Sequence, residues 1–233
     1  MRHHRQTLLW GQAAQEQLAG SKVAIVGLGG LGSPAALYLA GAGVGLLRLI
    51  DADKVELGNL HRQILYKSSH LGRGKAQMAR RQLQALDPGC QIDECPSYIE
   101  EGNIDRLLTG VDLVLDCVDQ LAGKQLLNRW CVSRGVPLVS AIANRWQCRV
   151  QLVHKGPCLA CLYGQAQHGD GRCDTLGVAG PVLGMAGSFQ ALLAIKHLLG
   201  LAPAADSLHL FDGEQLSWRH WQLTADPDCP VCQ

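Results

Sequence analysis

The sequence has almost no excess charge of either sign. Its 233 residues include 21 Lys and Arg against 20 Asp and Glu, a formal net charge of +1. It therefore lacks the overall basic field that binds nucleic acid or an anionic membrane surface. Apolar residues make up 47 % and charged residues 18 %, which argues against disorder. We expect a globular protein with neither nucleic-acid nor membrane partners.

Long uninterrupted apolar runs are also missing. The first residues, MRHHRQTLLWGQ, contain no stretch long enough for a signal peptide. The longest apolar stretch, residues 178–201, is broken by Gly, Pro, Gln, Lys and His, so it predicts a buried helix and not a membrane span. We expect a cytoplasmic protein. In that reducing compartment, clustered cysteines indicate a metal site or reactive thiols.

Short β-branched apolar runs alternate with helical patterns as far as residue 142. This alternation predicts an α/β fold, a Rossmann-like, doubly wound, mainly parallel sheet. Strand patterns then follow at 148–153, 208–211 and 217–223, with an apolar helix over about 184–199. They indicate an antiparallel C-terminal extension of the same sheet. No linker divides the chain, so we expect a single domain.

A glycine-rich turn follows the first predicted strand, Lys22–Val26. Its glycines are Gly27, Gly29, Gly30 and Gly32. A helix is predicted from Ser33, with Ser33 as its N-cap, and Asp51 stands at the tip of the next strand. Small residues let the backbone approach phosphates, the helix start supplies N–H donors, and an acidic group can bind ribose hydroxyls. The pattern predicts a nucleotide-binding site in preference to a turn that is merely tight. It does not decide whether the nucleotide is NAD or ATP.

Polar residues beyond the second strand favour ATP. Arg62 and Lys75 can converge on phosphate oxygens. A redox dinucleotide has little need of two cations there, whereas a triphosphate carries about four negative charges. Asp116 and Asp119 end a third strand at the same sheet edge, and one of them could bind Mg²⁺. The alternatives are a solvated loop for the cations and a helix N-cap for Asp119.

Two C-x-x-C pairs lie far apart in the chain. They are Cys158 with Cys161 and Cys229 with Cys232. Four thiolates in two such pairs suit a tetrahedral structural Zn²⁺, with a redox dithiol as the alternative. Cys173 lies in a separate, glycine-rich segment, directly after Arg172. From the residues alone, an inert thiol and a nucleophile are equally compatible with this position.

These motifs, in this order, resemble the ubiquitin-activating-like adenylyltransferases of bacterial sulfur transfer. The resemblance covers nearly the whole chain, from about Arg2 to Cys232, and two branches fit it, the ThiF type of thiamine biosynthesis and the MoeB type of molybdopterin biosynthesis. The segments 35–43 and 210–219 look more like ThiF. The residues that carry the resemblance are Gly27–Gly32, Asp51, Asp53, Asn59, Arg62, Gln63, Lys75, Asp116, Asp119 and the four paired cysteines.

The resemblance implies an activity. Such an enzyme uses MgATP to adenylate the C-terminal glycine of a small ubiquitin-fold sulfur carrier that ends in Gly-Gly, of the ThiS type in the ThiF branch. A sulfurtransferase or cysteine desulfurase would then supply sulfur. The chain would form a homodimer in which Arg5 reaches the triphosphate of the partner protomer.

The resemblance also implies individual roles. Asp51 binds the ribose, the glycine loop, Asp53 and Gln63 line the nucleotide, and Asp119 holds Mg²⁺. Asn59, Arg62 and Lys75 bind the phosphates. Cys173 would join the carrier through an acyl disulfide.

The sequence departs from the family pattern at three places. Gln120 and Lys124 stand where Asn and Arg are usual, and residues 147–149 read Gln-Cys-Arg in place of Gly-Gly-Gln. Lysine does not replace arginine where a bidentate contact is needed. Within the single adenylation domain, 1–233, we expect an N-terminal arm and helix over 1–20, a nucleotide-binding half over 21–142 and a carrier-binding and zinc half over 143–233.

Overall fold

A computed structural model describes residues 2–164, 177–202 and 205–233. The helices are α1 His4–Trp10, α2 Gln12–Gly20, α3 Gly32–Ala42, α4 Lys75–Leu86, α5 Ile104–Leu108, α6 Leu121–Arg134, α7 Leu159–Tyr163 and α8 Gly180–Leu198. The strands are β1 Lys22–Val26, β2 Leu46–Ile50, β3 Gln91–Cys95, β4 Leu113–Asp116, β5 Leu138–Asn144, β6 Gln147–Val153, β7 Ser207–Asp212 and β8 Ser217–Gln222. Two short 3₁₀ turns, Leu57–Asn59 and Ser68–His70, lie between β2 and α4.

All eight strands form one sheet in the order β3-β2-β1-β4-β5-β6-β7-β8. Strands β1 to β5 pair in parallel, and β6, β7 and β8 continue the sheet in antiparallel pairs. Helical crossovers cover both faces of the parallel part, which explains why its central strands are continuous apolar runs. The predicted fold class, a mainly parallel sheet with an antiparallel C-terminal extension, is confirmed.

Two apolar clusters lie on opposite faces of the sheet. The larger one includes residues of α3, α4 and α8, with Leu39, Leu83 and Ala194 fully buried. The smaller one includes residues of α5 and α6 and extends to Cys158 and Cys229. The sheet is therefore covered on both sides over its parallel strands, and its carboxyl edge is left for the loops that follow β1, β2 and β4.

Helix α8 confirms the prediction of a buried helix for the longest apolar stretch. Its Gln190 is fully buried, and the side-chain amide donates to the carbonyl oxygens of Asp116 at 2.9 Å and Val139 at 3.0 Å. The helix is thus tied to the ends of β4 and β5. Across the described ranges, no helix combines the length and the hydropathy that a bilayer span requires.

Three local features differ from the sequence-based expectations. Helix α3 begins at Gly32 with Leu31 as its N-cap, so the prediction of Ser33 as cap is wrong. The Ser33 hydroxyl instead donates a hydrogen bond to the Leu28 carbonyl oxygen at 3.4 Å. Strand β3 was not predicted, because its sequence QIDEC is polar and half-exposed at the edge of the sheet. Helix α1 was not predicted either, since it buries no residue.

Gly187, in α8, allows this helix to pack closely against α3. A Cβ at Gly187 would overlap the Leu31 carbonyl oxygen and stand 2.7 Å from Pro34 Cγ, whereas a Cβ at Gly184, in the same helix, would meet no atom within 4 Å. We expect Gly187→Ala to lower the free energy of unfolding by about 1–3 kcal/mol through overpacking. Gly184→Ala, the matched control, should raise it by up to about 1 kcal/mol through helix propensity. Urea denaturation measures both, and equal effects would contradict the packing argument.

Candidate active site

The glycine turn between β1 and α3 is shaped by direct backbone contacts. Gly27 has φ of +90°, and a Cβ there would stand 2.7 Å from the Cys117 carbonyl oxygen. A Cβ at Gly32 would overlap the Gly27 carbonyl oxygen, and one at Gly30 would stand 2.7 Å from Leu183 Cδ1. The backbone contacts at Gly27 and Gly32 therefore require glycine, whereas the contact at Gly30 is with a leucine side chain that can shift.

Gly29 is different, because a Cβ there would meet only the Gln63 side-chain amide nitrogen, at 3.6 Å. No packing contact explains the missing side chain, and the backbone is open at this point to a close ligand. Gln63 itself is 4 % exposed, and its Oε1 has no hydrogen-bond partner among the described residues. A buried acceptor left unpaired beside an open glycine is a feature that a bound ligand would complete.

Asp51, directly after β2, connects the glycine turn to the next loop. Its carboxylate accepts hydrogen bonds from the backbone N–H of Leu28 at 2.7 Å and of Asp53 at 2.8 Å. Burial raises the pKa of Asp51, while the Lys75 ammonium and the two backbone donors limit the rise. Since a carboxylate has about four lone-pair positions, Asp51 retains acceptor capacity for a ligand hydroxyl.

Asp53 and Lys75 form an ion pair at the same edge. Lys75 Nζ lies 2.8 Å from Asp53 Oδ2, and the Lys75 backbone N–H donates to the Asp53 carbonyl oxygen at 2.8 Å. The Lys75 side chain is 6 % exposed and the Asp53 side chain 45 %. Burial acts to raise the pKa of Asp53, but hydrogen bonds from Lys75 and from the Tyr98 hydroxyl hold it below its usual value. The lowered pKa keeps Asp53 ionised in this contact.

The loop with Asn59, Arg62 and Gln63 folds back on itself. The Asn59 carbonyl oxygen accepts the backbone N–H groups of Arg62 and Gln63, and Arg62 Nη1 donates to the Gly58 carbonyl oxygen at 3.0 Å. Arg62 also abuts the first turn of α8, because a Cβ at Gly180 would stand 3.7 Å from Arg62 Cβ. The loop thus lies between the glycine turn and α8.

Asp116 and Asp119, at the end of β4, have opposite environments. Asp119 is exposed, whereas Asp116 is fully buried. The Asp116 carboxylate accepts hydrogen bonds from Ser140 Oγ at 2.6 Å and from the Val118 backbone N–H at 3.2 Å. Lys124 Nζ lies 3.0 and 3.2 Å from its two oxygens and donates to the Ala141 carbonyl oxygen at 2.6 Å. Lys124 therefore completes a buried ion pair beneath the loop that presents Asp119.

The remaining predicted residues are spread over the molecule. Arg5 is exposed on α1 and has no polar side-chain contact among the residues that the structure describes. Cys173 lies outside the described residues. Residues 147–149 form the start of β6, and the Gln147 amide donates to Asp212 at 3.2 Å.

Sequence reasoning missed two tyrosines at this edge. The Tyr66 hydroxyl donates to the Leu28 carbonyl oxygen at 3.0 Å, so it holds the glycine turn from the opposite side to Asp51. Tyr98, after β3, donates to Asp53 Oδ1 at 2.7 Å. Neither stands in a recognisable motif, and β3, which positions Tyr98, was itself not predicted.

The four paired cysteines come together. Their Sγ atoms all lie within 4.8 Å of one another, with Cys158 to Cys229 at 3.7 Å and Cys161 to Cys232 at 3.4 Å. In a tetrahedral zinc thiolate site neighbouring sulfurs are about 3.8 Å apart, given Zn–S bonds of about 2.3 Å. The donor set and its dimensions fit a metal ion.

Solved structures share the fold. Escherichia coli MccB, in its crystal structure with MccA-N7isoASN, matches 100 % of this chain and 75 % of its own chain with a TM-score of 0.88 at 22 % identity. At that identity the likeness concerns the fold alone.

Curated proteins are similar over the full length of the chain. It is 41 % identical to the sulfur carrier protein ThiS adenylyltransferase of Escherichia coli (strain K12), covering 100 % of this chain and 94 % of that protein. It is 38 % identical to the molybdopterin-synthase adenylyltransferase of the same organism, covering 100 % and 96 %. The adenylyltransferase and sulfurtransferase MOCS3 of Drosophila grimshawi is 40 % identical, and the chain spans 54 % of its length. The family model described as "ThiF family" matches residues 3–231, and the chain belongs to that family.

Proposed function

We propose that this protein uses MgATP to adenylate the C-terminal glycine of a small ubiquitin-fold sulfur carrier of the ThiS type, in thiazole and thiamine biosynthesis. Membership of the ThiF family and the 41 % identity to a ThiS adenylyltransferase support the activity. The observation that carries the proposal to this chain is the juxtaposition at the sheet edge of an open Gly29, an unpaired buried Gln63 acceptor and the charged Lys75–Asp53 pair.

The charges at this edge favour a triphosphate over a redox dinucleotide. We propose that Asp51 accepts from the ribose hydroxyls with the lone pairs that the two backbone donors leave free. Arg62 and Lys75, with Asn59, would bind the phosphate oxygens, and exposed Asp119 would hold Mg²⁺. The glycine turn and the start of α3 offer backbone N–H groups to the same anion.

The reaction is the transfer of an adenylyl group from ATP, an anion, to the carboxylate of the carrier, a second anion. One oxygen of the carrier's terminal carboxylate attacks the α-phosphorus of ATP, the bond from that phosphorus to the bridging oxygen breaks, and pyrophosphate leaves. The product is an acyl adenylate, whose carbonyl carbon is open to attack by a sulfur nucleophile. Because the reactants repel one another, the protein contributes mainly positioning and charge neutralisation.

Further roles follow from the same proposal. Arg5, exposed on α1, would reach the triphosphate of a second protomer in a homodimer. A persulfide sulfur carried by a sulfurtransferase or cysteine desulfurase would attack the carbonyl carbon of the acyl adenylate and release AMP. The Cys173 thiol would then exchange into the resulting acyl disulfide, which releases the donor's thiol and leaves the carrier joined to Cys173. Lys124 would have no part in phosphate binding, because its buried ammonium forms an ion pair with Asp116 and donates a hydrogen bond to the Ala141 carbonyl oxygen.

We propose that the four-cysteine cluster holds a structural Zn²⁺. Cys158, Cys161, Cys229 and Cys232 would be its ligands, and the ion would fasten the segment around α7 to the chain after β8. Four thiolates saturate a tetrahedral ion and leave no open position for substrate, so zinc supplies a cross-link here and no chemistry.

A MoeB-type function is the second candidate, supported by the 38 % identity to a molybdopterin-synthase adenylyltransferase. The two candidates adenylate different carriers. Labelled pyrophosphate exchange into ATP, measured with a ThiS-type carrier and with the small subunit of molybdopterin synthase, separates them. We expect exchange that depends on the ThiS-type carrier, and no exchange with either carrier would contradict adenylation.

Lys75→Ala should reduce carrier-dependent exchange by about 10²–10³-fold, because it removes a buried positive charge aimed at the phosphates. Lys22→Ala is the control, since Lys22 is exposed at the opposite end of β1. Circular dichroism of both variants checks that they fold. Exchange at the wild-type rate in a folded Lys75→Ala variant would contradict the assigned role.

Asp119→Ala should lower exchange by at least about a hundredfold and shift the Mg²⁺ requirement to higher concentration, because the carboxylate would ligate the ion. Gln120→Ala, at the next exposed position, should leave both unchanged. A Mg²⁺ titration of the three proteins tests this, and a normal titration in Asp119→Ala would remove Asp119 from the metal site.

The purified protein should contain about one zinc ion per chain. Cys232→Ser should lose the ion and melt at a lower temperature, since metal-binding free energy contributes to folding. Cys95→Ser, which alters another half-buried thiol outside the cluster, should retain it. Metal analysis and thermal melting with and without a chelator measure these effects. A metal-free wild type that is indifferent to the chelator would contradict the zinc proposal.

A further inference from the structure

Tyr98 stands beside the proposed phosphate site because of the strand register. Strands β2 and β3 pair in parallel with Ile50 opposite Cys95, and Asp53 and Tyr98 each follow three residues later. The two side chains therefore leave the same edge of the sheet side by side. The Tyr98 hydroxyl donates to Asp53 Oδ1 at 2.7 Å.

The same carboxylate binds Lys75 through its other oxygen. Asp53 Oδ2 lies 2.8 Å from Lys75 Nζ, so Tyr98, Asp53 and Lys75 form one chain of hydrogen bonds from solvent to a buried ammonium. Asp53 and its charge raise the pKa of Tyr98, so that the hydroxyl is protonated and remains a donor.

The backbone around Tyr98 is fixed, although its side chain is exposed. The Tyr98 carbonyl oxygen accepts from Asn103 Nδ2 at 2.9 Å and from Ser97 Oγ at 3.1 Å. The residue itself is 62 % exposed. The ring thus contributes little to the core, and the hydroxyl's contact in this structure is the hydrogen bond to Asp53.

A carboxylate beside a phosphate-binding lysine has two effects. It fixes the ammonium in place, and it competes with the phosphate for the same positive charge. A donor on the second oxygen keeps the carboxylate in one orientation and draws part of its negative charge away from Lys75. Without that donor, Asp53 Oδ1 loses its hydrogen bond and the full negative charge of the carboxylate acts on Lys75.

We infer that Tyr98 is a positioning residue of the nucleotide site, which acts through Asp53 to keep the Lys75 ammonium available to the phosphates of ATP. The inference rests on the proposed function. It concerns the phosphates only, so it predicts an effect on ATP binding that adenosine binding does not share.

Tyr98→Phe removes only the hydroxyl and tests this directly. Calorimetric titration with MgATP and with adenosine should show ATP affinity reduced about three- to tenfold, the range for loss of one ordinary hydrogen bond, and adenosine affinity unchanged. In exchange assays the KM for ATP should rise while kcat and the KM for the carrier stay constant. Tyr38→Phe is the matched control, because Tyr38 on α3 is 61 % exposed.

A double-mutant cycle separates positioning from a general structural effect. In an Asp53→Asn background, Tyr98→Phe should weaken ATP binding no further, since the two residues act in series. Additive losses, an equal loss for adenosine, or unchanged ATP affinity in Tyr98→Phe would each overturn the inference while leaving the proposed function intact. A wild-type protein that does not bind ATP would overturn the proposed function and this inference with it.

Discussion

Direct contact between backbone segments at the carboxyl ends of β1 and β4 is the constraint on which the site depends. Gly27 and Gly32 leave no room for a side chain against Cys117 and against each other. This brings the turn, the start of α3 and the loop after β4 to one place. Gly187 in α8 extends the same constraint by letting that helix press against Leu31. The backbone at the candidate site is therefore positioned by these direct contacts, and the charged side chains are placed on it.

Two lysine–aspartate ion pairs lie near this edge of the sheet, and they differ in their exposure to solvent. Lys75 and Asp53 are in contact where Asp53 is half-exposed, so this pair borders the protein surface on its carboxylate side. Lys124 and Asp116 are sealed, with side-chain exposures of 5 % and 0 %. A buried ion pair contributes little net stability but costs several kcal/mol when one partner is lost. The second pair thus joins the end of β4 to the middle of β5, and the first is the pair that we propose for the phosphate site.

The sequence predicted the features that depend on local pattern. The strands of the parallel sheet were found because they are continuous apolar runs, and Asp51 was found because it follows one of them. The meeting of the four cysteines was expected from spacing alone. Strand β3 was missed because an edge strand need not be apolar, and with it Tyr98. The division into halves at residue 142, and the ligand roles of Arg5, Asp119 and Cys173, remain predictions.

Lys124 shows why motif comparison was insufficient. Lys124 stands at a position where the family pattern usually has arginine. The sequence alone does not show which residues this lysine contacts. The structure shows that its partners are Asp116, eight residues earlier, and the Ala141 carbonyl oxygen on the neighbouring strand. Only the pairing of β4 with β5 creates that environment, and strand pairing is a tertiary property.

The fully buried amide of Gln190 has a consequence for motion. Because it donates to carbonyl oxygens of both β4 and β5, α8 cannot separate from the sheet without breaking two buried hydrogen bonds and leaving the Gln190 amide without those acceptors. Movement of α8 away from the sheet is therefore costly. The segment between β2 and α4, by contrast, has only two short 3₁₀ turns and exposes Leu57 and Ile64 to solvent, so we expect it to open locally more readily than α8.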